Sequence, residues 1–229
     1  ILYENYSGYA YKEKGDSIKQ NTPLHIASVS KVITAVTILK LVDAKKLKLD
    51  DFVTSILPEF PHEKTTVRML LNHRSGLRNY AYFTDDKGVW DKKKTLTNQD
   101  ILNLFTEKEI KCDCPADKRF AYCNTNYAML ALIIEKVTKL SFREAMSKII
   151  FKPLGMTNTF VLDFDNDKKK VAPSYKGNKV EIGIDYLDKV YGDKNIYSTP
   201  RDLLKFDRAR YSPSFLEPEL LKQVYVGYS

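Results

Sequence analysis

The stretch His25-Ile26-Ala27-Ser28-Val29-Ser30-Lys31 leads into the most apolar segment of the first fifty residues, and the interpretation of the chain begins there. From Ser28 to about Ala44, apolar residues fall on nearly every face of a 3.6-residue spiral, a pattern that predicts a buried helix. Residues three apart share one helix face. The sequence therefore predicts that the Ser28 hydroxyl and the Lys31 amine lie side by side.

This pairing has a chemical use. A serine hydroxyl is a weak nucleophile until a base removes its proton. A lysine is such a base only when neutral, and bringing its pKa from ~10.4 to near 7 requires about 4 to 5 kcal/mol of desolvation and repulsion. A buried helix provides that setting, and its first turn leaves the Ser28 N–H free for an oxyanion. The alternative is that Ser28 merely caps the helix.

A second short motif, Tyr-x-Asn, occurs as Tyr3-Glu4-Asn5 and as Tyr122-Cys123-Asn124. The first copy falls in a predicted strand. The second precedes a long apolar helix, where a loop tyrosine is placed to relay a proton and an amide to hold a lysine or a substrate carbonyl. The alternative is that Tyr122 is a core aromatic and Asn124 a helix cap.

Other local signals outline a mainly helical chain that starts with a β-hairpin. The hairpin is predicted within residues 1–20, with a reversal at Gly15-Asp16. Residues 168–194 are polar and are predicted to form a loop or a hairpin. The further helices are predicted over Thr65 to Asn72, from Thr97 or Asn98 to Glu107, over Asn124 to Thr138, after the Ser141/Glu144 capping box, and from Thr199-Pro200 onward.

Composition excludes several classes of protein. The 229 residues are 43% hydrophobic and 29% charged, which is typical of a globular protein rather than a collagen-like, disordered or disulfide-dense chain. No run of 18 apolar residues occurs, so no membrane-spanning segment is predicted. Lysine and arginine exceed aspartate and glutamate by 8, but mainly as scattered lysines or short runs such as Lys92-Lys93-Lys94. Nucleic acid is therefore not a predicted partner.

The cysteines and histidines do not form a known motif. The chain has three cysteines, Cys112, Cys114 and Cys123. They are too few for a disulfide framework and too tightly spaced for a zinc site, but one disulfide bond between two of them is compatible with the sequence. There is no Gly-x-Ser-x-Gly, P-loop, Gly-x-Gly-x-x-Gly or His-Glu-x-x-His motif. A Ser-His-Asp hydrolase would need His25 or His73, and neither has a recognisable setting.

Seven stretches in order resemble the serine β-lactamase and penicillin-binding-protein superfamily, most closely the β-lactamase-related serine hydrolases of the class C, esterase and D-Ala-D-Ala carboxypeptidase type. They are His25-Ile26-Ala27-Ser28-Val29-Ser30-Lys31, Lys46-Leu47-Lys48-Leu49-Asp50-Asp51, Leu57-Pro58-Glu59-Phe60, Leu70-Leu71-Asn72-His73-Arg74-Ser75-Gly76-Leu77, Tyr122-Cys123-Asn124-Thr125-Asn126-Tyr127, Pro153-Leu154-Gly155-Met156 and Ile196-Tyr197-Ser198-Thr199-Pro200-Arg201-Asp202-Leu203.

The resemblance implies an α+β fold in which helices flank an antiparallel sheet, with an all-helical domain and the active site between them. Residues 1–50 would belong to the sheet domain and carry the nucleophile helix. Residues 51–195 would form the mainly helical domain, and residues 196–229 would return as helices toward the sheet. The His73 to Leu77 turn would be structural, as would Asp202 and the Pro153 to Met156 turn.

The resemblance also implies roles for four residues. Ser28 would be the acylated nucleophile and its N–H half of the oxyanion hole. Lys31 would activate Ser28, and Tyr122 would be the general base or proton relay. Asn124 would position Lys31 and bind the substrate amide. The expected substrate is an ester, a peptide ending in D-amino acids or a β-lactam. No metal or organic cofactor is expected to be needed. Export to the bacterial cell envelope is also expected.

Three departures from the family pattern qualify these expectations. Cys123 replaces a small serine, with its side chain expected to face the cleft but without a catalytic role. Pro115-Ala116 stands where the family has Pro-Gly. The family's third motif, Lys/His-Thr/Ser-Gly, is not found, nor are its leading helix and first strand, so the chain is expected to be the middle of a longer protein. The alternative function is a non-catalytic binding or scaffold protein, or an inactive fragment.

Overall fold

The structure of the chain is a computed structural model that describes residues 1–167, 171–212 and 214–227. Helices and short antiparallel strands both contribute to it, so the predicted α+β class is confirmed. The helices are α1 (Ser30–Asp43), α2 (Val53–Ile56), α3 (Val67–Leu71), α4 (Tyr80–Phe83), α5 (Asn98–Glu107), α6 (Asn124–Thr138), α7 (Phe142–Met146), α8 (Phe164–Asp167), α9 (Pro200–Arg210) and α10 (Pro218–Val224). The strands are β1 (Tyr9–Tyr11), β2 (Asp16–Ser17), β3 (Leu24–His25), β4 (Phe160–Val161) and β5 (Ile196–Ser198).

The strands form two small sheets. Strands β1 and β2 pair as the predicted hairpin, and Gly15 takes a left-handed φ of 69° in its turn. The other sheet has the order β3-β5-β4 and is antiparallel throughout, with Leu24 opposite Ser198 and Phe160 opposite Tyr197. Because β3 ends just before Ser28, this sheet anchors the segment that leads into α1.

Helix starts follow side-chain caps that the sequence already displays. Thr97 begins α5 and Ser141 begins α7, each with a complete capping box, and Thr199 accepts a hydrogen bond from the Asp202 amide at the start of α9. Helix α6 has the predicted bounds. Helix α1 begins two residues later than predicted, because residues 27–29 form a tighter 3-10 turn.

Several short elements were not predicted. Helices α2, α4, α8 and α10 have four to seven residues, too few to show a helical period, and the two residues of β4 show no alternation. In the polar 168–194 segment, of which residues 168–170 lie outside the described residues, Tyr175 pairs with Glu181 through a single antiparallel bridge.

The core is built around α1 and α6, which pack against each other while α6 also contacts α3 and α5. Ile33 and Ile38 on α1 and Ala128, Leu130 and Ile134 on α6 are fully buried. Burying each of the larger side chains contributes roughly 1.5 to 3 kcal/mol. A polar side chain on the shared face of these helices is therefore shielded from water. In the described part of the chain, no helix has the length and apolar character to cross a membrane.

A close approach at Gly192 attaches the loop before β5 to these two helices. Gly192 has a φ of 95°, and a Cβ atom there would lie 2.4 Å from the Tyr127 carbonyl oxygen and 2.7 Å from the Ala131 Cβ. On the other side, the Thr34 hydroxyl donates to the Gly192 carbonyl at 2.8 Å. Glycine is therefore required here both for its conformation and for the space that it leaves.

We predict that Gly192→Ala lowers the free energy of unfolding by more than about 2 kcal/mol, because the new methyl group meets helix backbone at a left-handed position. Urea denaturation measures the change. Gly177→Ala is the matched control, since its Cβ meets no atom within 4 Å. Equal stabilities of the two variants would contradict this account of the packing.

Candidate active site

The turn that carries Ser28 is held in an unusual conformation. Ala27 has a φ of 45°, a left-handed value that alanine rarely adopts and that is commonly found near functional sites. The flanks of the turn are tied to β5, because the Ile26 amide donates to the Ile196 carbonyl at 3.0 Å and the Ile196 amide donates to the Ser30 hydroxyl at 3.3 Å. The sheet thus fixes the direction in which the Ser28 side chain points.

The Ser28 hydroxyl accepts two hydrogen bonds from predicted site residues. Lys31 Nζ donates to Ser28 Oγ at 3.1 Å, and the Tyr122 hydroxyl donates to the same atom at 2.9 Å. The interpretation of Ser28 as a helix cap is wrong, because Val29 occupies the cap position of α1 and no side chain caps that helix. The structure therefore brings three of the four predicted residues together at one oxygen atom.

Lys31 lies in the protein interior, with 5% of its surface exposed. Besides Ser28, its amine donates to the Asp193 backbone carbonyl at 2.9 Å. It also faces the rings of Tyr122 and Tyr127, at 5.1 and 5.9 Å from their centroids. Among the described residues it forms no ion pair, so a carbonyl and two ring faces provide its polar surroundings.

Tyr122 lies at the mouth of the site with 52% of its surface exposed, so the interpretation of it as a core aromatic is wrong. The His73 ring packs against it with centroids 4.6 Å apart. The His73 carbonyl accepts from the Ala121 amide at 2.8 Å, and His73 Nδ1 accepts from the Cys123 amide at 3.1 Å. His73 thus holds the backbone on both sides of Tyr122. From the sequence, His73 was interpreted only as part of a structural turn, and this contact was not predicted.

His73 is itself buried and in a left-handed conformation, with a φ of 58°. Burial and the nearby positive charge of Lys31 lower the pKa of His73 to about 4. The imidazole is therefore neutral at pH 7, and Nδ1 is free to accept from the Cys123 amide. The Asn126 side-chain nitrogen lies 3.2 Å from the same Nδ1 atom.

The remaining members of the Tyr-x-Asn segment have different surroundings from those expected. Asn124 is the first residue of α6, and no hydrogen bond joins its side chain to Ser28 or Lys31 in the described structure. It is also not the cap, which is Cys123. Cys123 is 3% exposed, so the expectation that its thiol faces the cleft is wrong, and burial raises its pKa. All three cysteines are free.

The fold, in which a Ser–Lys–Tyr cluster lies between helices and a short antiparallel sheet, is of the β-lactamase and transpeptidase type. The Beta-lactamase family model matches residues 1–228, and the chain belongs to that family. The predicted resemblance is thereby confirmed.

Named relatives and solved structures agree with this assignment. Penicillin-binding protein 4* of Bacillus subtilis is 31% identical, over 94% of this chain and 51% of its own length. The teichoic acid D-alanine hydrolase of Staphylococcus aureus is also 31% identical, over 89% and 51%. The D-amino acid amidase of Ochrobactrum anthropi superimposes with a TM-score of 0.75 at 27% identity, over 94% and 62%. The chain spans about half the length of the curated relatives it matches.

We predict that His73 makes the protein less stable in acid. Its pKa is about 4 in the folded protein against 6.5 for the free side chain, so below pH 6.5 the unfolded state binds the proton more readily. Stability should therefore fall as pH drops from 6.5 to 4, by about 2 kcal/mol from this residue once solvent screening is allowed for.

The measurement is urea unfolding of wild type and His73→Asn between pH 7 and pH 4. Asparagine tolerates the left-handed backbone and does not titrate in this range. The difference between the two stability curves isolates His73 from His25 and His62, whose pKa values burial also lowers. Parallel curves would show that His73 does not contribute to the loss of stability.

Proposed function

We propose that the protein is a serine hydrolase that forms an acyl-enzyme at Ser28 and releases it by hydrolysis. The observation that carries the proposal is that Ser28 Oγ is hydrogen-bonded to both the Lys31 amine and the Tyr122 hydroxyl. A hydroxyl between two groups able to exchange protons is the arrangement that nucleophilic catalysis requires.

In the proposed reaction, Ser28 Oγ attacks the substrate carbonyl carbon while its proton passes to the Lys31 and Tyr122 pair. The tetrahedral intermediate collapses when the bond to the leaving group breaks, and the leaving group takes a proton from Tyr122. A water molecule then attacks the ester carbon on Ser28 and gives one proton to the same pair. The bond between Ser28 Oγ and the acyl carbon breaks, and Ser28 Oγ takes that proton back from the pair. The products are a carboxylic acid and free Ser28, so the proton inventory of the site is restored.

The Ser28 backbone N–H is the proposed oxyanion donor from this part of the protein. In enzymes of this kind one such donor contributes about 2.7 to 4 kcal/mol to stabilising the transition state. The left-handed Ala27 just before Ser28 supports this role, because a sharp turn sets the direction of the following N–H. Asn124, two residues after Tyr122 and the first residue of α6, is proposed to bind the substrate amide.

The proposed substrates are esters, peptides or amides of D-amino acids, and β-lactams. Support comes from the relatives, of which one is named a teichoic acid D-alanine hydrolase, one a D-amino acid amidase and one a penicillin-binding protein. Two of these three names refer to a D-amino acid, which is D-alanine in one of them. Export to the bacterial cell envelope is part of the proposal, because teichoic acid is a polymer of that compartment.

We predict that a fluorophosphonate probe or a penicillin adds one covalent adduct to the full-length protein, and that Ser28→Ala abolishes it. Intact mass spectrometry detects the adduct, and peptide mapping locates it. Ser55→Ala is the control, since the exposed Ser55 hydroxyl donates to the Phe52 carbonyl and, in the described structure, has no hydrogen bond to Lys31 or Tyr122. An adduct that persists in Ser28→Ala would overturn the assignment, and an unlabelled folded protein would favour a non-catalytic binding role.

We also predict that the labelling rate depends on the two neighbours of Ser28. Lys31→Arg should reduce it by at least about 10²-fold, because a guanidinium does not deprotonate, and Tyr122→Phe should reduce it by about 10²- to 10⁴-fold. Stopped-flow labelling with the same probe measures the rates. Tyr82→Phe, at an exposed tyrosine of α4, is the control. Wild-type rates in both site variants would exclude them as proton carriers.

A further inference from the structure

A buried carboxyl group next to the site has no assigned role. Asp193 is 2% exposed, although carboxylates are rarely buried without a purpose. Its Oδ2 accepts from the Tyr80 hydroxyl at 2.7 Å, while its Oδ1 is shielded from solvent and has no hydrogen-bond partner among the described residues. An oxygen in that situation destabilises the fold by about 1 to 3 kcal/mol, which calls for a compensating function.

Asp193 is tied to Lys31 through its own backbone. Its carbonyl accepts from Lys31 Nζ at 2.9 Å, and the preceding Gly192 is wedged between α1 and α6. The segment that carries the buried carboxyl group therefore also contacts the buried amine, and both side chains lie in a region that is shielded from solvent. Charges interact most strongly in such a region.

The electrostatic surroundings support a coupling of the two groups. Burial raises the pKa of Asp193, and the positive charges of Lys31 and Lys194, with the Tyr80 hydroxyl, oppose that rise. Lys194 also pairs with Asp188 at 3.5 Å. The titratable and charged groups around the pair come from five parts of the chain. They are Lys31 in α1, His73 after α3, Tyr80 in α4, Tyr122 and Cys123 before α6 with Tyr127 in α6, and Asp188 with Lys194 in the loop before β5.

We propose that Asp193 is a positioning residue for Lys31: its carboxylate, fixed by Tyr80, stabilises the protonated amine and so sets the lowest pH at which Ser28 is activated. The proposal rests on the function proposed above, in which Lys31 must be neutral to accept a proton. It extends the site beyond the Ser28, Lys31 and Tyr122 cluster to a second layer formed by Tyr80 and Asp193.

A purely structural role is the competing explanation, in which Asp193 serves only as the acceptor that allows Tyr80 to be buried. Asp193→Asn separates the two, because the amide oxygen still accepts from the Tyr80 hydroxyl while the negative charge is lost. Tyr80→Phe is the complementary variant. It keeps the carboxyl group but removes the hydrogen bond that favours its charged form.

The first test is the rate of Ser28 labelling by a fluorophosphonate in the full-length protein between pH 5 and pH 10. We expect Asp193→Asn to lower, by about one pH unit, the midpoint of the acidic limb of the labelling-rate profile. The labelling rate well below that midpoint should then rise roughly tenfold. Tyr80→Phe should move the midpoint in the same direction by less. Asp202→Asn is the control, since the Asp202 carboxylate is equally buried but contacts Asn158, Thr159 and Lys205.

The second test does not depend on activity. Lysines labelled with ¹³C at Cε are titrated by NMR, and the Lys31 signal is identified by its loss in Lys31→Arg. Its midpoint should fall by about one pH unit in Asp193→Asn, and Tyr80→Phe replaces that variant if it does not fold.

The two tests separate the two proposals. A wild type that is not labelled, with the NMR midpoint shifted in the variant, would refute the proposed function and leave the coupling intact. A labelled wild type whose rate profile and Lys31 titration are the same in Asp193→Asn and Tyr80→Phe would overturn the role of Asp193. Destabilisation without a shift in either midpoint would assign Asp193 a structural role only.

Discussion

The burial of the Lys31 amine is the constraint on which the rest of this structure depends. An ammonium group loses its hydration when it enters a protein interior, and here no carboxylate forms an ion pair with it in the described residues. Its contacts are instead a serine hydroxyl, one backbone carbonyl and two aromatic faces. These contacts come from four segments: the Ser28 turn before α1, the loop before β5, the Tyr122 loop and α6. All four must be in place for the amine to be buried.

Those parts of the site that follow from local geometry could be predicted from the sequence. Ser28 and Lys31 lie three residues apart at the start of a helix, and their contact needs little beyond helical spacing. The caps of α5, α7 and α9 are equally local, because each joins residues within one turn. Tyr122 was singled out by the Tyr-x-Asn motif before a long apolar helix, but that motif left a core aromatic as the alternative, and only the family resemblance implied its role as a base or relay.

The contacts that escaped prediction join distant segments. Lys31 and Asp193 are 162 residues apart, and His73 meets Cys123 across 50 residues. No periodicity or spacing encodes such pairs, and they are defined only when helices and loops pack. The burial of Cys123 has a different reason: its backbone is extended, so its side chain points to the opposite side from that of the exposed Tyr122 and enters the core. The short motifs and the family resemblance predicted which residues form the site, while tertiary packing determined the surroundings of each residue.

The strand pairing of β3 with β5 has a consequence for how the protein is made. It connects Leu24 and His25, just before Ser28, to Ser198 and Tyr197, so the chain must be synthesised beyond Ser198 before the turn at Ala27 is anchored. Contacts between such distant residues form late, because closing a long loop is entropically unfavourable. The contacts that hold the Ser28 turn in place are therefore expected to form late in folding, after the local helices.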